Sequence, residues 1–174
     1  MRKVLEAAAK QFGWKPAKAP SGRGVGVACG IDAGSYVATM AQVDVNKNTG
    51  HVQVKRVVCA QDEGVIVNPD GSRQQMEGCI TMGLGYALTE EVRFQDGKIL
   101  DRNFDTYEIP RFTWLPQIET ILVENPEVPP QGCGEPAIIT MGAVIANAIF
   151  DAVGARVLQL PMTPARVLEA MKRA

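Results

Sequence analysis

The hydrophobic pattern opens with a helical period. Val4, Leu5, Ala8 and Phe12 fall on one side of a helix predicted over residues 1–13. Residues 15–26 break the period, and Pro16, Pro20, Gly22, Gly24 and Gly26 read as a linker or arm. Residues 35–45 and 51–60 are rich in Val and Ala with runs of alternation. Asn46-Lys47-Asn48-Thr49-Gly50 between them suits a hairpin loop. Asn68-Pro69-Asp70 marks a helix start, with Asn68 as cap and Pro69 in the first turn, where a missing N–H costs little. That helix is predicted to run to about Thr89. Short strands are expected around 92–94 and 98–101, joined by Gln95-Asp96-Gly97, and another over 118–123. A Pro/Gly loop over 125–134 leads into an apolar helix predicted for 136–153, and a short helix over 164–172 follows. Hairpin-joined strands with helices between them predict an α+β fold with a largely antiparallel sheet and packed helices. The predicted division is a helix and flexible arm over 1–26 and one domain over 27–174.

Composition narrows the function classes. The 174 residues carry 18 Lys+Arg against 19 Asp+Glu, so no basic footprint argues for nucleic acid. The longest apolar run, 137–150, is interrupted by Thr140 and Asn147 and is too short to cross a bilayer. No secretion signal is read at the start, which leaves the compartment open between cytoplasm and periplasm. Cys29, Cys59, Cys79 and Cys133 show no Cys-x-x-Cys spacing, so no metal site is expected from this chain alone, and the thiols are expected to be mostly buried. The single histidine, His51, lies beside a turn and reads as solvated.

Three places could carry chemistry. In the helix over 69–89, Gly71, Gly78 and Gly85 are seven apart, which returns the chain to within roughly 20° of one face. Gln75 and Met82 fall close to that stripe. It either admits a flat cofactor with Gln75 hydrogen-bonded to it, or serves tight helix–sheet packing. The second place is Gln131-Gly132-Cys133-Gly134-Glu135-Pro136-Ala137. If a helix begins at 136, Glu135 lies at its positive end, either as a positioned base or only as a complement to the helix dipole. The same segment fits Gly-x-Gly-x-x-Ala weakly, because Val128-Pro129-Pro130 separates it from the nearest strand. The third is Cys133, whose thiolate would gain from a nearby helix start, although no His is placed to make it a Cys–His nucleophile.

Asp62-Glu63-Gly64-Val65-Ile66-Val67-Asn68-Pro69, Gln75-Met76-Glu77-Gly78, and Met82-Gly83-Leu84-Gly85-Tyr86-Ala87-Leu88-Thr89-Glu90-Glu91 occur in that order. They are followed by Gly132-Cys133-Gly134-Glu135-Pro136, Ala146-Asn147-Ala148-Ile149-Phe150-Asp151-Ala152 and Leu160-Pro161-Met162-Thr163. Together these resemble the molybdenum hydroxylases of the xanthine dehydrogenase/aldehyde oxidase family. The likeness is strongest to the large (beta) subunit of the isoquinoline 1-oxidoreductase type. It covers essentially the whole chain, and it implies the C-terminal part of a much longer molybdopterin-binding subunit.

The resemblance implies that Glu135 is the general base at the molybdenum site, that Gln75 hydrogen-bonds the molybdopterin, and that Gly78 and Gly134 allow close approach. It implies molybdopterin cytosine dinucleotide with molybdenum, shared with absent parts of the subunit, and 2Fe-2S clusters in a partner subunit. The expected substrate is an aromatic N-heterocycle or an aldehyde, hydroxylated with oxygen from water. The chain alone is expected to be inactive and to self-associate. The alternative is a non-catalytic assembly module of the same fold. Two departures stand out: Cys79 where the family usually has a second Gly, and Cys133 where Val is common.

Overall fold

The computed structural model describes residues 1–15 and 21–174. Helix α1 (Arg2–Phe12) ends at Gly13, whose left-handed φ of 68° closes the last turn. Strand β1 (Arg23–Asp32) follows, then β2 (Ser35–Val45) and β3 (Val52–Asp62). The Asn46 side chain shapes the β2–β3 loop by accepting from the backbone N–H groups of Asn48 and Thr49. Helix α2 (Pro69–Leu88) starts as expected, with Asn68 Oδ1 accepting from the Gly71 N–H at 3.0 Å.

Between α2 and the last strand the chain makes a small excursion. It contains the two-residue strands β4 (Phe94–Gln95) and β5 (Lys98–Ile99) and a 3-10 turn (Phe112–Trp114). Strand β6 (Gln117–Leu122), helix α3 (Met141–Val153) and helix α4 (Pro164–Arg173) complete the order. The main sheet runs β1-β2-β3-β6. The pairings β1–β2 and β2–β3 are antiparallel and β3–β6 is parallel, so the α+β reading holds with one parallel pairing added.

Two layers of helix cover the sheet. On one face Val4 and Ala8 of α1 pack on Ala38, Met40 and Ala60. On the other, Met76 and Ile80 of α2 and Met141, Ile145 and Ile149 of α3 close over Val37, Val43 and Val57.

The predicted arm is corrected from Arg23 onward. Arg23 to Gly26 belong to β1, so the strand crosses the 26/27 boundary, while residues 16–20 lie outside the described residues. The glycines that read as a linker are strand positions over which α3 lies. A Cβ on Gly24 would collide with the Ala148 carbonyl, and one on Gly26 with the Val144 carbonyl. The β1–β2 turn is only Ala33-Gly34, with φ of 47° and 83°, the conformation of a tight hairpin. Helix α3 also begins five residues later than expected, because residues 135–140 run as turns. The cysteines divide as well: Cys59 and Cys79 are buried, Cys133 is half-buried and Cys29 is exposed.

The excursion after α2 is held by charge rather than by a core. The Asp101 carboxylate takes three hydrogen bonds from the Arg93 guanidinium and one, at 2.6 Å, from the Arg93 backbone N–H. The guanidinium first, then that N–H, draw the Asp101 pKa from 3.8 down to about 2. A carboxyl depressed in the fold stabilises it above its unfolded pKa and loses that contribution as pH falls through the folded one. The excursion should therefore keep its order at pH 4 and lose it towards pH 2, read as faster amide exchange over 93–101. In the core, Gly26→Ala should destabilise the fold by about 1–3 kcal/mol through overpacking against α3, measured by urea unfolding.

Candidate active site

The segment 131–142 is anchored from three sides. The Gln131 N–H donates to the Glu63 carbonyl (2.9 Å) and the Gly132 N–H to the Ala33 carbonyl (3.0 Å). Ser35 Oγ donates to the Gly132 carbonyl at 2.6 Å. From α2, the Cys79 thiol donates to the Gly134 carbonyl at 3.0 Å. Further along, Tyr86 Oη donates to the Ile138 carbonyl (2.9 Å) and accepts from the Gly142 N–H (2.8 Å). In an unbroken helix that N–H would bond that carbonyl directly. The Tyr86 hydroxyl occupies the gap, and α3 starts beyond it. Thr140, just before α3, shares a 2.7 Å hydrogen bond with Thr39 of β2.

Glu135 is thus held at the head of a turn segment, exposed, and not at the first turn of α3. The helix dipole acts within the first turn, so Glu135 stands outside its reach. The same displacement removes the helix start from Cys133, and no helix opens directly on the weak Gly-x-Gly-x-x-Ala match.

The glycine stripe divides. Gly71 faces its own cap, Asn68, and Gly85 is buried against Glu90. Only Gly78 is open, with nothing within 4 Å of where its Cβ would be. The α2 face that meets the loop carries Gln75, Cys79, Gly83 and Tyr86, spaced four, four and three apart. A Cβ on Gly83 would fall on the Met141 side chain. Gln75 Nε2 lies 3.5 Å from where a Gly134 Cβ would be, which brings the two predicted cofactor residues together. Beside them Gly78, Met82 and Glu135 are exposed.

A groove of about 420 Å³ opens next to Gln75, lined among others by Glu63, Ser72, Gln131 and Cys133. Glu63 is buried at its floor, accepting from Gln61 Nε2 (2.8 Å) and from Ser72 Oγ. Sequence reasoning missed Glu63, Ser35 and the bridging role of Tyr86. The spacing of Gln75, Cys79 and Tyr86 along one helical face was the available signal. His51 is exposed beside its turn, as expected. Among the described residues no cluster of three or more His, Cys, Asp or Glu is arranged to hold a metal, and no helix is long and apolar enough to cross a membrane.

A family profile described as molybdopterin cofactor-binding domain matches residues 8–116. The chain belongs to that family, among the molybdenum-binding subunits of xanthine, aldehyde and isoquinoline oxidoreductases. The match includes Gln75 and Gly78 and ends before Glu135. The chain is 34% identical to a nicotinate dehydrogenase subunit of Pseudomonas putida over 97% of its own length and 16% of that protein's. It is 35% identical to the beta subunit of isoquinoline 1-oxidoreductase from Brevundimonas diminuta, over 98% of this chain and 22% of that one. The crystal structure of quinoline 2-oxidoreductase from Pseudomonas putida 86 superposes with a TM-score of 0.73 at 27% identity, covering 79% of this chain and 19% of that one. The chain therefore spans about a fifth of the length of these relatives.

Tyr86→Phe should leave the Gly142 N–H without its partner, while the Ile138 carbonyl keeps the Met141 N–H at 3.1 Å. A loss of about 1–3 kcal/mol is expected. Hydrogen exchange at Gly142 should quicken first, and an unchanged rate there would remove the bridging role.

Proposed function

We propose that this chain is the part of a molybdenum hydroxylase subunit that presents the general base and one wall of the molybdopterin site. The observation that carries the reading is the meeting of the Gln75 amide with the Gly134 backbone on an open face, next to an exposed Glu135. Gly78 leaves uncovered space on that face, which fits a flat group laid against α2. Gln75 would hydrogen-bond the pterin, with Gly78 and Gly134 giving it room. When bound, the molybdenum centre supplies the two-electron redox chemistry. Glu135 takes up the proton released as a water-derived oxygen adds to the electrophilic carbon of an N-heterocycle or aldehyde. The anchors on 131–142 keep the backbone that carries it in place while it does so. A cytosine dinucleotide form of the cofactor and 2Fe-2S clusters in a partner subunit complete the proposed assembly.

The surface supports an assembly larger than this chain. The 18.8 kDa chain exposes 10014 Å², against about 8,300 Å² for a compact monomer of that mass. Much apolar area lies on the excursion after α2, where Phe94 is 76%, Phe104 78% and Phe112 93% exposed. These side chains fit a surface covered by the rest of the subunit. The chain alone is expected to be inactive and, with that surface uncovered, to self-associate.

In the enzyme assembled with the remainder of its subunit and its electron-transfer partner, Glu135→Gln should lower turnover by about 10²–10⁴-fold. Molybdenum content should be unchanged. Full turnover in that variant would leave the chain as an assembly module without a catalytic carboxylate.

A further inference from the structure

We propose that Cys79 and Cys133 form a peroxide-sensitive thiol pair, closing to a disulfide that ties α2 to the loop carrying Glu135. None of the four cysteines is bridged. Cys59 is inert: it is buried in β3, accepts from Thr39 Oγ1, and its pKa is pushed up to about 12 by burial. Cys29 is exposed on β1. The other two meet. The Cys79 thiol donates to the carbonyl of Gly134, the residue directly after Cys133. Cys133 lies close enough for its charge to act on Cys79.

The pair is asymmetric in a useful way. Cys133 is half-buried and lines the groove beside Gln75, one helical turn before Cys79, so a small oxidant reaches it from solvent. Cys79 is buried behind the loop. Burial foremost pushes its thiol up, the Ile138 and Ala137 backbone N–H groups oppose this, and the Glu135 and Cys133 charges add to it. Gly134 gives the loop slack, since the nearest atom to its missing Cβ is 3.5 Å away. A disulfide needs Cα atoms roughly 4.4–6.8 Å apart, within reach of a loop already hydrogen-bonded to the Cys79 sulfur.

The chemistry balances with hydrogen peroxide as oxidant. The Cys133 sulfur attacks the peroxide, the O–O bond breaks, and Cys133 becomes a sulfenic acid as water leaves. The Cys79 sulfur then displaces the sulfenic hydroxyl. Its proton leaves with that oxygen as a second water. Two thiols lose two electrons in all, and the peroxide takes them. The bridge replaces the Cys79–Gly134 hydrogen bond and fixes the loop to the helix.

The test uses the 174-residue chain and hydrogen peroxide, so it does not depend on the molybdenum reading. Native protein is treated, blocked, digested without reduction and mapped by mass spectrometry. The expected result is a linked peptide pair containing Cys79 and Cys133, with two of the four thiols lost and recovered with dithiothreitol. Cys133→Ser and Cys79→Ser should each abolish the linked pair, and Cys29→Ser should keep it. If either serine variant fails to fold, the wild-type map compared with the same oxidation in urea decides. Over-oxidation of Cys133 with no linked pair, or a pair formed equally well in urea, overturns the proposal.

Discussion

The hydroxyl of Tyr86 stands where a backbone hydrogen bond would otherwise close between Ile138 and Gly142, and the position of Glu135 follows from that insertion. The hydroxyl both donates and accepts, so the Gly142 N–H is not orphaned while the ladder is opened, and the Ile138 carbonyl accepts from it beside the Met141 N–H. Burial pushes the Tyr86 pKa up, which keeps the proton that the Ile138 bond needs. With the ladder open, residues 135–140 turn instead of continuing α3 towards its N-terminus. Glu135 is carried to the side of α2, within the influence of Cys79 and next to Gly134 and Gln75. Had the helix run to 136, the carboxylate would have stood on the α3 axis, stabilised by its dipole.

That insertion works only because α3 itself is fixed. Helix α3 lies directly on β1 through Gly24 and Gly26, and Thr140 ties its start to Thr39 in the centre of the sheet. The sheet positions α3, Tyr86 sets the break between α3 and the loop, and Cys79 draws the loop onto α2. The remaining ties come from the opposite direction: Ser35 and Ala33 at the β1–β2 turn and Glu63 after β3 hold residues 131 and 132. The glycine-rich loop is therefore ordered by its neighbours, although its composition suggests freedom.

What could be read from the sequence depended on whether the cause was local. The α2 start was legible because the Asn68 cap and Pro69 act within one turn, and the β2–β3 loop because Asn46 bonds its own neighbours. Strand β1 was hidden: glycines required by a helix more than a hundred residues away look the same as glycines of a linker. The start of α3 was hidden for a related reason. An apolar run with Pro at its first turn is a good helix signal, and a hydroxyl from another helix overrode it. Of the site, Glu135, Gln75 and Gly134 could be named from motifs. That Tyr86, Ser35 and Glu63 serve the same loop needed the tertiary arrangement.

The face that remains open is the part of the fold least explained by this chain's own stability. A mid-helix glycine costs roughly 1 kcal/mol relative to Ala, and Gly78 recovers nothing locally, having no neighbour within 4 Å. Met82, one turn on, is 66% exposed. By contrast Gly83, on the face that meets α3, is needed for close packing against Met141. The two glycines lie five apart on one helix and differ only in what stands opposite. Internal packing therefore accounts for Gly83 and leaves the bare backbone at Gly78 without a local cause, which is the space the proposed cofactor contact would use.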